Sequence, residues 1–188
     1  MIPRCQSRRV LLPMAFAVLA AGLSFRNAAA AFPAVGHPCP SVRISDAWGR
    51  TIDLSSFGGR PLLVVYEDSG SSGQNRTLKE ELSNLAAGDG YRERVALVPV
   101  ADVTAYDYWP IRGFVRDAIR GESRKLTISI FCDWDGRFRE ELGLQRGVSN
   151  IVLYGRNGRV LLSHAGAMPE STRRELVERL KAELASAH

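Results

Sequence analysis

Apolar runs and amphipathic stretches alternate along this chain in a regular order. "SVRISDAWGRTIDLSSFGGRP" (Ser41 to Pro61) predicts an N-terminal β-hairpin, two short strands about a turn at Trp48 to Arg50, closed by a second turn at Gly58 and Gly59. "PLLVVY" (Pro61 to Tyr66) is continuously apolar, as a strand buried on both faces requires. Leu78, Leu82 and Leu85 then recur at helical spacing, with Lys79, Glu80 and Glu81 on the other side, so Thr77 to Ala87 predicts an amphipathic helix. "RVALVPVAD" predicts the next buried strand, and its end runs into the aromatic loop "ADVTAYDYWPIRG".

A second helix follows, "IRGFVRDAIRGE", with Ile111, Phe114, Val115, Ala118 and Ile119 on one face. "LTISIFCD" predicts a strand, "GRFREELGL" a short helix, and "SNIVLY" and "RVLLSHAG" an antiparallel pair about the turn "GRNG". Pro169 to Ala187 predicts the last helix, with Leu176, Leu180 and Leu184 along one stripe. Such alternation defines an α/β domain with a central mixed β-sheet flanked by helices.

Residues 1 to 31 stand outside that pattern. Arg4, Arg8 and Arg9 precede the apolar stretch Val10 to Leu23, and the small-residue run "NAAAA" ends at Ala31, which predicts a cleaved signal peptide at 1–31 and one domain at 32–188. "SRRVLL" resembles a twin-arginine export signal, and an ordinary secretory signal accounts for the same arginines. The segment carries four arginines and no carboxylate, so 25 basic residues fall to 21 against 20 acidic ones. The remaining charge is about +1, which removes the case for a nucleic-acid surface. Two cysteines remain, Cys39 and Cys132, and an oxidising compartment would let them pair if the fold brings them together.

The loop "EDSGSSGQNRT" (Glu67 to Thr77) lies between a strand and a helix, where phosphate cradles and nucleophile elbows are found. A phosphate loop counted from Gly70 requires glycine then lysine where the chain has Asn75 and Arg76. A nucleophile elbow through Ser72 closes on Gln74 instead of glycine, and no motif ties His37 or His164 to that serine as a base. There is no dinucleotide fingerprint and no zinc spacing. Glu67 and Asp68 are adjacent on an extended segment and point apart, and "DWDG" around Asp133 and Asp135 suits a turn better than a calcium loop. No cofactor is expected.

"PLLVVYEDSGSSGQNRTLKEEL" resembles the strand, loop and helix of the thioredoxin superfamily, with "SGQNR" falling on the redox motif C-G-P-C-R. Ser72 and Asn75 then occupy the two cysteine positions, and in "GVSNIVLYGRNGRVL" Ser149 stands where the family has its cis-proline. The likeness extends upstream through "VGHPCPSVRISDAWGRTIDLSSFGGRPLLV", covering about residues 35 to 187. Within the superfamily the chain looks most like the YtfJ family of exported thioredoxin-like proteins. That second likeness is carried by "ADVTAYDYWPIRGFVRDAIR" and "ISIFCDWDGRFREELGLQRGVSNIVLYGRNGRVLLSHAGAMPEST".

The resemblance implies a periplasmic thioredoxin-like fold, and the missing cysteines imply that the usual redox chemistry is absent, because a hydroxyl and an amide cannot perform thiolate exchange. Two readings of Ser72, Gly73, Gln74, Asn75 and Arg76 stay open: polar residues that cap a helix, or exposed helix-start N–H groups that bind an anion, with Ser149 and Asn150 lining the other wall. Tyr106, Tyr108, Trp109 and Pro110 either pack beneath their loop or present a binding surface. The expected function is a redox-inactive, exported module that binds a periplasmic protein or a small anionic ligand, with a thiol-disulfide oxidoreductase acting through Cys39 and Cys132 as the alternative.

Overall fold

The computed structural model describes residues 30–87 and 91–185. The expected signal peptide falls, as far as residue 29, outside the described residues. The chain runs β1 (Arg43–Asp46), β2 (Thr51–Asp53), β3 (Leu62–Glu67), α1 (Arg76–Ala86), α2 (Tyr91–Arg94), β4 (Ala96–Asp102), α3 (Ile111–Leu126), β5 (Phe131–Asp133), α4 (Arg137–Leu142), β6 (Asn150–Tyr154), β7 (Val160–Ala165) and α5 (Glu170–Ala185).

The seven strands form one mixed sheet in the order β2-β1-β5-β4-β3-β6-β7. The most apolar run lies at its centre: β3 pairs parallel with β4 and antiparallel with β6, where Val64 faces both Val98 and Val152. Alternate residues of β3 feed opposite faces. Leu62, Val64 and Tyr66 join Val98, Val152 and Phe138 of α4, whereas Leu63 and Val65 meet Leu78 of α1 and Leu176 and Leu180 of α5. The hairpin β1–β2 extends the sheet through an antiparallel pairing of β1 with β5. The predicted turn between β6 and β7 forms as expected, with Gly158 at φ +69°, a backbone conformation that glycine adopts without strain.

Three expectations change. β4 is buried on one face only: Ala96, Val98 and Val100 are covered, while Leu97 is 42% exposed. The strand expected from "LTISIFCD" is shorter, because α3 continues to Leu126 and β5 holds only Phe131–Asp133. The amide groups of Ile128 and Ile130 bond to Ser123 at the end of α3, its carbonyl at 3.1 Å and its hydroxyl at 3.2 Å, so the β-branched run closes a helix. Finally, α2 is a single turn that the hydrophobic pattern did not predict.

Candidate functional site

The loop after β3 is built from turns. The Asp68 carboxylate accepts from the Ser71 amide at 2.7 Å, and the Asp68 amide donates back to the Ser71 hydroxyl at 3.0 Å. Ser72 and Gln74 continue the coil through backbone bonds to Asp68 and Ser71. Asp68 is held below the usual carboxylate range, chiefly by the Ser71 hydroxyl against an opposing effect of burial.

At the end of this coil, Asn75 precedes α1 but does not cap it: its side chain makes no bond to the helix start. It turns inward instead. Its Nδ2 donates to the Ser149 hydroxyl at 2.9 Å and to the Gly166 carbonyl at 3.0 Å, and its Oδ1 accepts from the Met168 amide at 2.8 Å. Ser149 is fully buried and donates its hydroxyl to Glu67 at 2.8 Å, while its amide donates to the Gln74 side chain at 3.0 Å. The other oxygen of Glu67 is held by Lys79 at 2.7 Å, and the same ammonium reaches the Ser72 carbonyl. A chain of charge-assisted bonds therefore runs Lys79, Glu67, Ser149, Asn75, tying α1 to the loops flanking β6 and β7.

The seven expected site residues thus separate. Ser72, Gly73, Gln74 and Arg76 are exposed, and Asn75 and Ser149 lie beneath them, buried and fully bonded. Asn150 does not reach a shared wall. Its side chain is spent on Gln145 and Val148, pinning the turn before β6. The Ser72 hydroxyl donates to the Ser69 carbonyl at 3.2 Å, and His164 bonds at 3.1 Å to the carbonyl of Ala167, so no base faces that serine. Sequence reasoning set Glu67 aside and passed over Lys79. The signal available was a carboxylate closing a buried strand and a lysine one turn into the next helix.

The aromatic loop does not pack beneath itself. Tyr108 is 58% and Trp109 91% exposed, and Phe114 of α3, expected on a buried face, is 70% exposed. Tyr106 alone turns in, and its hydroxyl meets that of Ser69 at 3.2 Å, joining the loops after β3 and β4 at one end of the sheet. The cis peptide among the described residues is Trp109–Pro110, and Ser149 carries none.

Cys39 and Cys132 are free thiols, so the possible disulfide between them is not formed in this structure. Cys39 sits in the segment bound to the β6–β7 turn, its amide 2.7 Å from the Gly158 carbonyl. Cys132 lies in β5 and packs with Ala47 and Val103 in a separate cluster. Burial pushes each thiol up to about 11, helped by Asp53 at Cys39 and by Asp46 at Cys132, where Arg116 opposes the rise. The described residues contain no group of three or more His, Cys, Asp or Glu able to hold a metal. Among them, no helix is long and apolar enough to cross a membrane.

This is a thioredoxin-like α/β fold, and solved structures share it at low identity. A protein described as a candidate thiol:disulfide interchange protein DsbE from Chlorobium tepidum superimposes with a TM-score of 0.58 at 17% identity, covering 81% of this chain and 99% of its own. The exposed lipoprotein thioredoxin of Streptococcus pneumoniae gives 0.54 at 15% identity, covering 76% of this chain and 99% of its own. The thioredoxin domain of a thiol-disulfide oxidoreductase from Bacteroides vulgatus gives 0.54 at 18% identity, covering 78% and 96%. No family model matches the chain. No curated protein matches it significantly.

Proposed function

We propose that this protein is an exported, periplasmic thioredoxin-like module of the YtfJ type that has given up redox chemistry and binds a partner through the loops after β3 and β4. The observation that carries the reading is the Asn75–Ser149 contact. Where thiolate exchange needs a nucleophile with a depressed pKa beside a helix start, this chain has an amide whose donor and acceptor are both spent on buried neighbours. Trp109 and Tyr108 stand exposed at the same end of the sheet, where a monomer gains nothing from them and a binding surface does.

The names of the structural neighbours favour the competing reading, a thiol-disulfide oxidoreductase working through Cys39 and Cys132. Against it stand the separate burial of the two sulfurs and their raised pKa values, which leave little thiolate at neutral pH. The two readings part in a disulfide-reductase assay on the purified exported protein with dithiothreitol as electron donor. The binding module leaves a disulfide substrate at the uncatalysed rate. A robust activity that disappears in Cys39→Ser or Cys132→Ser overturns it.

A further inference from the structure

Arginines recur at every fourth position of α3: Arg112, Arg116, Arg120 and Arg124. At 3.6 residues per turn each step advances the direction by about 40°, so successive guanidinium groups stay neighbours along a slowly turning stripe. Arg112, Arg116 and Arg120 line a cavity of about 890 Å3 enclosed by α3, the β1 hairpin and the segment from β5 into α4. This lies apart from the start of α1, none of whose residues lines it.

Arg43 and Arg137 line the cavity as well, and five carboxylates share it. Most of these are committed. Asp46 is held by Arg50 and by the amides of Trp48 and Arg50, and Asp107 pairs with Arg112 at 2.5 Å. Glu141 lies 3.6 Å from Arg137. Asp133 is buried and accepts from the Tyr66 hydroxyl and the Arg139 amide, and exposed Asp135 accepts from the Arg137 amide.

The donors are less fully matched. Arg120 is engaged by the Ala47 carbonyl and Asp117. Among the described residues the half-buried Arg116 side chain has no hydrogen-bond or ion-pair partner, and the Nε of Arg112, one helical turn away, is buried with no acceptor. That second guanidinium is already fixed, lying over the Trp134 ring at 4.7 Å from its centroid and held at its other end by Asp107. A guanidinium without a hydrogen-bonded protein acceptor, beside a second one whose plane Trp134 and Asp107 fix in advance, describes half of an oxyanion contact.

We propose that this cavity binds a small polar organic oxyanion, its carboxylate or phosphate head taken by Arg116 beside the fixed guanidinium of Arg112. The volume falls within the range of small-molecule sites, about 300 to 1,000 Å3, and exceeds what a bare inorganic ion fills. Ser45 and Thr51, whose hydroxyls bond each other at 2.7 Å, line the cavity as well. The inference does not rest on the reading of the loop after β3, none of whose residues lines the cavity, although Asp107 of the loop after β4 does.

Calorimetric titration of the purified exported protein with citrate, glucose 6-phosphate, inorganic phosphate and uncharged glucose tests it. We expect citrate or glucose 6-phosphate to bind with a Kd below about 1 mM, at least tenfold tighter than inorganic phosphate, with glucose silent. Arg116→Gln weakens that binding at least about tenfold, Arg116→Lys weakens it less, and Arg76→Gln at the start of α1 leaves it unchanged. Among the described residues the Arg116 side chain makes no hydrogen bond or ion pair, and its charge acts only to oppose the raised Cys132 pKa, so Arg116→Gln should keep a thermal melt close to wild type. The proposal is overturned if both organic probes bind no tighter than phosphate, if Arg116→Gln binds like wild type, or if the loss appears in Arg76→Gln instead.

Discussion

The Asn75 side chain makes three bonds to two separate pieces of chain, the loops before β6 and after β7, and none to the helix it precedes. Removing its amide therefore unties those loops, takes the side-chain partner from the Met168 N–H and the Gly166 carbonyl, and leaves the buried Ser149 hydroxyl with Glu67 alone. Asn75→Ala should destabilise the fold by about 3 kcal/mol in urea denaturation, whereas Ser72→Ala, exposed and bonded only to its own loop, should change it by less than about 0.5 kcal/mol. Equal effects would mean that the Asn75 network is absent in solution. Two buried carboxylates should respond to pH in opposite senses. Burial raises the pKa of Asp133 despite bonds from the Arg139 and Phe138 amides and the Tyr66 hydroxyl, so this group contributes less stability as pH rises from about 3.8 through its folded value. Burial also works to raise Asp46, but the Arg50 amide, the Arg50 guanidinium and the Trp48 amide outweigh it. Its contribution is present above about 3.8 and lost as pH falls through the lowered value. Unfolding curves at pH 4 and pH 7 should show Asp133→Asn gaining on wild type at the higher pH, and curves at about pH 2.5 and pH 5 should show Asp46→Asn losing ground at the higher. The reverse order would refute the assignment.

Among the elements, periodicity marked out helices and strands well and their burial less well. Leu176, Leu180 and Leu184 of α5 form the stripe their spacing predicts, and all three are buried. The same argument applied to α3 put Phe114 on a buried face, yet it lies open. α3 covers the β4–β5 side of the sheet through Val115 and Ile119, where the sheet offers only Ala101 and Cys132, and its arginines take the adjoining face. A periodic pattern shows which side of a helix can be buried, but the neighbour decides how much of it is. Phe114→Ser should accordingly shift stability by less than about 0.5 kcal/mol, while Leu180→Ala, fully buried between α5 and the sheet, should cost about 2 to 5 kcal/mol. Comparable losses from both would place Phe114 in a contact absent from this structure. The strand expected over 126–133 failed for a related reason. Ile128 to Ile130 have strand propensity, but β4 begins to pair with β5 only at Phe131, and Ser123 takes the earlier amides.

For the whole molecule, the α/β order was legible because the sheet is assembled from local runs, each carrying its own period. The site was only half legible. The loop after β3 and the positions of Ser72, Asn75 and Ser149 could be marked along the chain. That Asn75 would bond Ser149 across 74 residues, and Ser149 bond Glu67 across 82, is set by the sheet order, which brings the ends of β3 and β6 together. Cys39 and Cys132 illustrate the same limit. Their presence in a chain whose sequence predicts export to an oxidising compartment invites a disulfide, but one belongs to the β6–β7 end and the other to β5, and nothing local predicts that separation. The structure makes a sharp statement about them. With each pKa pushed up to about 11, roughly one thiol in 1,000 is ionised at pH 8, and the Cys132 side chain is buried besides. A thiol reagent added to the native, unreduced exported protein at pH 8 should react slowly, Cys132 more slowly than half-buried Cys39. Denaturation without reductant should then release two thiols per chain. If no thiol appeared, the two segments would have to come together in the exported protein, and the proposed redox inertness would fall with the fold's separation of them.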